Sequence, residues 1–423
     1  MSAWMAVLTV VVALTAFALT VIAGGTFWWS LYAWRSPDQL SATRFADDPD
    51  ETALTFSLIV PCRDEPEAVV RATVAALLAQ RHPDFEVVLS VGHDDLPMLA
   101  IADRIAAEDP RVGVSVDHHE VKNKPRQLNT ALALCSGDVV GILDAESLTA
   151  PDLLRRVDAT FTAREADVVQ GAVQLMNYRS RWFTLRNCLE YRIWFRSRLH
   201  GHAEAGFIPL GGNTVFLRRT LLEQVGGWDG DCLAEDCEIG VRLSAQGKRI
   251  VVAYDADLTT REEAPTTLRA LVRQRTRWSL GFMQVLAKGE WRALPTTRQR
   301  VGAWWTLVQQ HAMAFSGLVL PLAVATALFA DLPVLVGMVA FLPLVPTVAL
   351  VAFEVLILHD LGKDLGWRLG VRDYVTLVVS TPFYQLLLAL AALRALVKYV
   401  GGDFRWEKTA HSGAHLTPVG EPA

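Results

Sequence analysis

Between residues 1 and 34 the chain has no Asp, Glu, Lys or Arg. That absence excludes a solvated start to a globular domain. It matches a helix crossing a hydrocarbon core of about 30 Å, for which about 20 apolar residues suffice. A basic leader region and a short apolar core are lacking too, so the segment is expected to persist as a membrane helix, not to be removed as a signal peptide. No Cys-x-x-Cys pair occurs among the cysteines at 62, 135, 188, 232 and 237, which speaks against a zinc site. All five fall in the part expected to face the cytoplasm, where disulfides are not anticipated. No block of basic residues stands out, and the formal net charge is −5, so nothing suggests a nucleic-acid partner. Internal repeats and low-complexity segments are absent as well.

What is present is a surplus of apolar residues, 52% of the chain, gathered at its two ends. Segments 301–330 and 332–358 are separated only by Asp331. Arg298 and Arg300 precede the first, and Lys363, Arg368 and Arg372 follow the second. Basic residues favour the cytoplasmic side, so the two segments read as a hairpin with both outer flanks inside, as do Arg35 and Arg44 after the first helix. A further apolar stretch, 374–397, contains Pro382 and ends near Arg394. A single crossing there places Lys398, Arg405 and Lys408 outside, whereas a re-entrant or interfacial course keeps them inside. The sequence leaves both open. The expected organisation is a membrane helix over 1–34, a cytoplasmic domain over 51–300, a membrane region over 301–400 and a polar tail over 401–423. The protein reads as a multi-pass resident of the cell membrane, with lipids as its first partners. Its oligomeric state is not legible.

The middle of the chain alternates strand and helix patterns. Short apolar runs at 56–60, 85–91, 112–116 and 139–143 read as strands, and helical patterns at 69–78, 98–107 and 127–134 lie between them. Such alternation predicts an α/β domain with a mostly parallel sheet. Ligands in these sheets sit beyond the carboxyl ends of the strands. Here those ends carry Cys62-Arg63-Asp64-Glu65, Asp94-Asp95 and Asp144-Ala145-Glu146. Alternate residues of an extended segment project to one side, so Asp144 and Glu146 can converge on one hard cation. Asp64 and Asp94 taken singly are equally ordinary helix caps. Lys124 precedes the last of these strands and can bring positive charge to a diphosphate. Gly211-Gly212-Asn213 permits a close backbone approach, and Glu235-Asp236 opens a helical stretch.

Gln274-Arg275-Thr276-Arg277-Trp278, followed by Gly281 and Gln284, stands just before the chain turns apolar. Guanidinium and amide groups suit phosphates and sugar hydroxyls, while an indole offers a flat face to a sugar ring. Residues 181–199 place Trp182, Leu185, Leu189 and Ile193 at helical spacing among arginines, the pattern of an amphipathic helix at a membrane surface. Residues 268–285 read similarly.

In this order, the acidic site after the second strand, Lys124 with Asn129, Asp144-x-Glu146, Gly211-Gly212, Glu235-Asp236 and Gln274-x-x-Arg277-Trp278 resemble the membrane-bound family 2 glycosyltransferases. These are the cellulose synthase-like group, with hyaluronan and poly-N-acetylglucosamine synthases. The resemblance spans about residues 56–285. It implies a GT-A-type nucleotide-sugar domain, with Pro61, Arg63, Glu65 and Asp94 around the nucleobase and ribose and Lys124 at the diphosphate. It also implies Mg²⁺ or Mn²⁺ on Asp144 and Glu146, Asp236 as general base beside Glu235, and Gln274 and Arg277 at the diphosphate. Gly212, Asn213 and Trp278 would stand toward the acceptor. The chain departs from the usual pattern at Glu146, where Asp is usual, and at Ala234, where Thr is. The implied activity is inverting transfer from a nucleoside diphosphate sugar, UDP being the expected nucleotide, to a glycan acceptor, as in polysaccharide synthases. The alternatives are a single transfer to a lipid, or a membrane scaffold carrying a degenerate sugar-binding domain. Retention of Asp144, Glu146, Asp236 and the Gln274/Arg277/Trp278 set argues against the scaffold.

Overall fold

The computed structural model describes residues 3–47, 52–330, 333–408, 413 and 416. Glu51, Asp331 and most of the polar tail lie outside the described residues. Among the described residues nine strands form: β1 (Phe56–Cys62), β2 (Phe85–Gly92), β3 (Val112–Asp117), β4 (Val139–Ile142), β5 (Val168–Gln170), β6 (Val173–Leu175), β7 (Val215–Arg218), β8 (Ile250–Val252) and β9 (Thr260–Glu262). Seven make one sheet in the order β3-β2-β1-β4-β7-β5-β8. The four strands read from the sequence are its parallel half, with Phe56 opposite Phe85 and Ile59 opposite Ile142. β7 runs antiparallel to β4 and β5, and β8 returns parallel to β5. The fold is a GT-A-type α/β domain.

Leu58, Ile59 and Val60 are all fully buried because β1 is covered on both faces, as parallel strands require. Their alternation divides the core in two. Leu58 and Val60 pack with Val70, Val74 and Leu77, whereas Ile59 packs with Val88, Leu128 and Ile142 on the opposite face. The helices start where caps permit: Asp95 accepts from the Met98 amide at 3.1 Å, and Asn123 accepts from that of Arg126 at 3.1 Å.

Among the described residues, four helices are long and apolar enough to cross a membrane: Trp4–Ser30, Thr297–Phe329, Val334–Asp364 and Val371–Val400. The first three are each fastened to the domain at one end. Ser197 donates to the Ser30 carbonyl at 2.9 Å, Gln299 donates to that of Gly206 at 3.2 Å, and Asp364 pairs with Arg192. The fourth behaves differently. Its first turn is held by Arg179 on Asp373 at 2.8 Å, Thr276 bonds the Ala391 carbonyl at 3.3 Å, and Ala395 packs against Leu233 and Leu280. Just beyond it, Lys408 pairs with Glu65 at 3.1 Å. Along its length, about 45 Å for 30 residues, it packs against both Leu268–Lys288 and Thr297–Phe329.

The amphipathic stretch near 181–199 folds as Thr184–Ile193, continues through a π-turn over Trp194–Arg198, and is largely buried, with Glu190, Trp194 and Arg196 partly exposed. Its arginines face acids of Leu344–Asp364. Arg186 grips Glu354 at 2.8 Å, Arg192 reaches Asp360 at 3.0 Å and also Asp364, and Arg196 pairs with Asp360. This element is a buried wedge between the domain and the membrane helices.

All five natural cysteines are buried, so a single introduced cysteine reports without background. Phe329→Cys and Arg405→Cys are expected to react with an impermeant thiol reagent from opposite sides of the membrane. Reaction from the same side would mean that Val371–Val400 crosses it.

Candidate active site

The carboxyl ends of β1, β2 and β4 open onto a single cleft. At its outer end Arg63 makes a bidentate pair with Asp94, at 3.2 and 2.9 Å, and this holds the Asp94 carboxyl below its usual range. Asp95 has a different job. One of its oxygens accepts from the Asp64 amide at 2.6 Å and the other caps the helix Leu96–Ala106. Asp94, not Asp95, is therefore the acid that faces Arg63. Pro61 lies opposite Ser90, one residue before β1 ends at Cys62, and Glu65 is buried against Lys408.

Deeper in, Asp144, Glu146 and Glu262 bring carboxylate oxygens within 4.8 Å of one another, a spacing that suits one divalent cation. Asp144 and Glu146 follow β4, whereas Glu262 arrives on β9, which pairs with β6 in a separate ladder beyond the sheet edge. Ser147 donates to Glu262 at 2.8 Å, and Asn213 donates to both Ser147, at 2.8 Å, and Glu262. Asn213 is buried, so its amide nitrogen braces the third carboxylate and is not offered to an acceptor. Lys124, at the start of its helix, bonds Asp144 and the Gly212 carbonyl, the latter at 2.6 Å. A Cβ on Gly212 would stand 2.9 Å from Asp236 Oδ2 and 3.4 Å from Lys124 Nζ, so glycine is what lets the backbone pass between carboxylate and ammonium.

Glu235 and Asp236 open the helix Glu235–Ala245. Burial raises the Glu235 carboxyl to about 7, with Asp236 adding to it and Lys124 and Arg277 opposing. Burial also raises Asp236, countered by the Cys237 amide, which donates to Oδ1 at 2.7 Å, and by Lys124 and Arg277. Lys124 and Arg277 thus oppose the effect of burial on both carboxyls.

The segment that brings Arg277 here is the helix Leu268–Lys288. Its approach depends on Gly281, where a Cβ would fall 2.5 Å from that of Ala234. One turn on, Gln284 accepts from the Leu233 amide and donates to the Asp231 carbonyl, both at 2.9 Å, and so clamps the loop before the acids. Arg275 lies 4.4 Å from the Trp278 ring centroid and is held by Glu190 at 2.5 Å and Tyr384 at 3.1 Å. Gln274 Oε1 and Arg277 Nε are buried without a hydrogen-bond partner. Two unmet polar atoms of opposite kind on adjoining turns mark a place prepared for a polar ligand.

Residues 53–281 match the family model described as glycosyltransferase like family 2. The chain belongs to that family. It is 25% identical to a beta-monoglucosyldiacylglycerol synthase of Trichormus variabilis over 94% of this chain and 89% of that one. A cellulose synthase catalytic subunit of Xanthomonas axonopodis pv. citri is 26% identical over 55% of this chain and 32% of its own. Among solved structures, a mannosyltransferase of Pyrobaculum calidifontis, in complex with GDP-Man and Mn²⁺, superposes with a TM-score of 0.60 at 21% identity. That match covers 92% of this chain and 99% of the other. As a family 2 glycosyltransferase, the chain puts its cleft at the place where strands β1, β2 and β4 end.

Glu235 is an acid whose proton is bound more tightly in the folded chain than in the unfolded one. Its contribution to stability is full below about pH 4.5 and is lost as pH rises through about 7. Glu235→Gln is accordingly expected to melt above the parent at pH 8, with the gain shrinking at pH 5. Equal melting at pH 8 would show Glu235 to be solvated like an ordinary carboxylate.

Proposed function

We propose that the enzyme transfers a single sugar, with inversion, from a nucleoside diphosphate sugar to a hydroxyl of a membrane lipid, the domain facing the cytoplasm. UDP is the expected nucleotide. The observation that carries the lipid reading is the packing of Leu268–Lys288, the helix of Gln274, Arg277 and Trp278, along Val371–Val400. The acceptor side of the cleft is thereby turned to the bilayer. The relative in Trichormus variabilis, matched over nearly its full length, supports the same reading.

On this reading Arg63, Asp94, Glu65 and Pro61 border the nucleoside. Lys124, Gln274 and Arg277 hold the diphosphate. Three carboxylates at the spacing of Asp144, Glu146 and Glu262 fit Mg²⁺ or Mn²⁺, which when bound supplies charge to neutralise the leaving diphosphate. Asp236 accepts the proton of the acceptor hydroxyl as that oxygen attacks the anomeric carbon from the face opposite the leaving group. Its raised affinity for a proton, set by burial, suits a base working near neutrality. Glu235 keeps the neighbourhood from carrying two full negative charges. Arg275 fixes the plane of Trp278, and the indole presents its other face to a sugar or headgroup.

Extension of a glycan is the second reading, favoured by the likeness to a cellulose synthase subunit. With Val371–Val400 lying along the domain, three of the four long apolar helices remain to wall a passage. That is a narrow basis for a polymer channel.

Purified protein in lipid vesicles, given UDP-sugars and Mn²⁺ or Mg²⁺, is expected to yield a lipid heavier by one sugar. A ladder of products would favour glycan extension. Asp236→Asn is expected to lower transfer by about 10²–10⁴-fold while donor binding holds, the range of general-base catalysis. Near-parental transfer would remove Asp236 from the mechanism. Glu262→Gln, like Asp144→Asn and Glu146→Gln, is expected to weaken metal-dependent donor binding, measured by calorimetry with and without EDTA. Unchanged binding in Glu262→Gln would leave only the two acids after β4.

A further inference from the structure

The outer end of the cleft converges on Gly92, the last residue of β2. A Cβ built there would fall 2.6 Å from Asp94 Oδ1, 3.2 Å from Arg63 Nη1 and 3.5 Å from the stem of Lys122. Three charged side chains thus meet over a residue with none of its own. The carboxylate is the partner that the two cations share: Arg63 bonds both oxygens, at 3.2 and 2.9 Å, and Lys122 Nζ lies 3.9 Å from Oδ1. The Lys122 ammonium is also pinned. It donates to the carbonyls of Asp117, at 3.2 Å, and His119, and stands 2.7 Å from His93 Nδ1. Its side chain is 10% exposed, against 29% for Arg63 and 40% for Asp94. The carboxylate therefore remains open to a ligand, with a fixed positive charge beside it.

A set of cation, carboxylate and cation discriminates between nucleobases by elementary hydrogen-bond chemistry. Uracil presents a carbonyl, an N–H and a second carbonyl, an order that reads the same from either end. Its N–H suits Asp94, and its carbonyls suit Arg63 and Lys122. Arg63 keeps N–H groups to spare, since Asp94 engages only one on each terminal nitrogen. Lys122, with its protons engaged, acts through its charge. Guanine has an amino group where uracil has one of its carbonyls, and that donor would be set against a cation. Cytosine and adenine have a bare ring nitrogen at the centre of the edge, which a carboxylate repels. Wrong bases are thus refused by opposed charge as much as the right one is held.

We propose that Lys122 selects the base: together with Arg63 it flanks Asp94 so that the cleft takes a uridine diphosphate and refuses a guanosine one. The inference deepens the functional reading above. It rests on that reading for the cleft as a nucleoside diphosphate site, but not for the lipid acceptor.

The test is calorimetric binding of UDP, GDP, CDP and ADP, each with Mn²⁺, to the full chain in lipid nanodiscs, with no sugar present. The diphosphate is common to all four, so differences report the base. UDP is expected to bind at least about tenfold more tightly than the rest, the scale of a misplaced charge at a partly exposed site. Lys122→Met is expected to shrink the ratio of UDP to GDP affinity, and Lys122→Glu to reverse it, with Lys122→Arg keeping it. N3-methyl-UDP, which has no N–H for Asp94, is expected to bind the parent as weakly as CDP. Melting of each variant checks that it folds. Parental GDP binding equal to that of UDP, ratios unchanged in folded Lys122→Met and Lys122→Glu, or N3-methyl-UDP equal to UDP would each overturn the proposal. Failure of all four to bind would remove the nucleotide site on which this inference and the functional reading both rest. If the base ranking holds but no glycolipid forms, the lipid reading falls and this inference stands. Glycolipid made from a GDP-sugar as readily as from a UDP-sugar sinks this inference alone.

Discussion

The architecture hangs on a ladder of ion pairs at the boundary between domain and membrane helices, buried at Arg186–Glu354 and partly exposed at Asp360 and Asp364. Arg186, Arg192 and Arg196 stand six and four residues apart on the wedge, and Glu354, Asp360 and Asp364 repeat those intervals on the membrane hairpin. Two helices running side by side in the same direction can therefore meet at each rung. The pairs observed follow that register, with Arg192 bridging to two acids. Removing either column would strand charges in a low-dielectric layer, which is far more damaging than never having placed them there. The ladder specifies one depth and one rotation for the hairpin. Apolar packing against lipid-like surfaces specifies neither.

From this fixed layer the catalytic groups are reached in two steps. Glu190, on the same wedge, holds Arg275 and accepts from Tyr384 of Val371–Val400 at 2.8 Å. Arg275 in turn backs Trp278. On the far side of Leu268–Lys288, Gly281 and Gln284 seat the loop that delivers Glu235 and Asp236. One helix thus couples the membrane layer on one face to the acidic pair on the other, and its polar residues divide accordingly.

Much of the domain was legible because its first half obeys simple periodicity. β1 to β4 are continuous apolar runs closed by polar clusters, and Asp144, Glu146, Lys124, Asp236 and Arg277 all come to one cleft as expected. Glu262 was not legible. It sits on a strand of three residues whose pairing partner is some 85 residues earlier, so no local pattern announces it. The choice between Asp94 and Asp95 also needed coordinates, since both follow one strand and only one can cap the next helix. The stretch at 181–199 shows apolar residues at helical spacing among arginines. That pattern is the same for a helix floating in an interface and for one clamped between two proteinaceous faces. What distinguishes them is the matching acids more than 150 residues away. The course of Val371–Val400 is not legible for a related reason: hydropathy reports length, not direction.

The chemistry of the cleft follows from its charge balance. Glu235 and Asp236 are buried together, and Lys124 and Arg277 keep the pair from being wholly protonated. Lys124 also bonds Asp144, so the same ammonium is shared between the acid pair and the carboxylates suited to a cation. On the proposed reading a diphosphate arriving beside Lys124 and Arg277 draws on charge that otherwise favours ionised Asp236. That shift raises the affinity of Asp236 for a proton at the moment an acceptor hydroxyl must lose one. Asp144, Glu146 and Glu262 would hold a divalent cation whose charge would answer that of the diphosphate and so limit the shift. On that reading the three carboxylates and the two cationic side chains together would set how strongly Asp236 takes up a proton when substrate is bound.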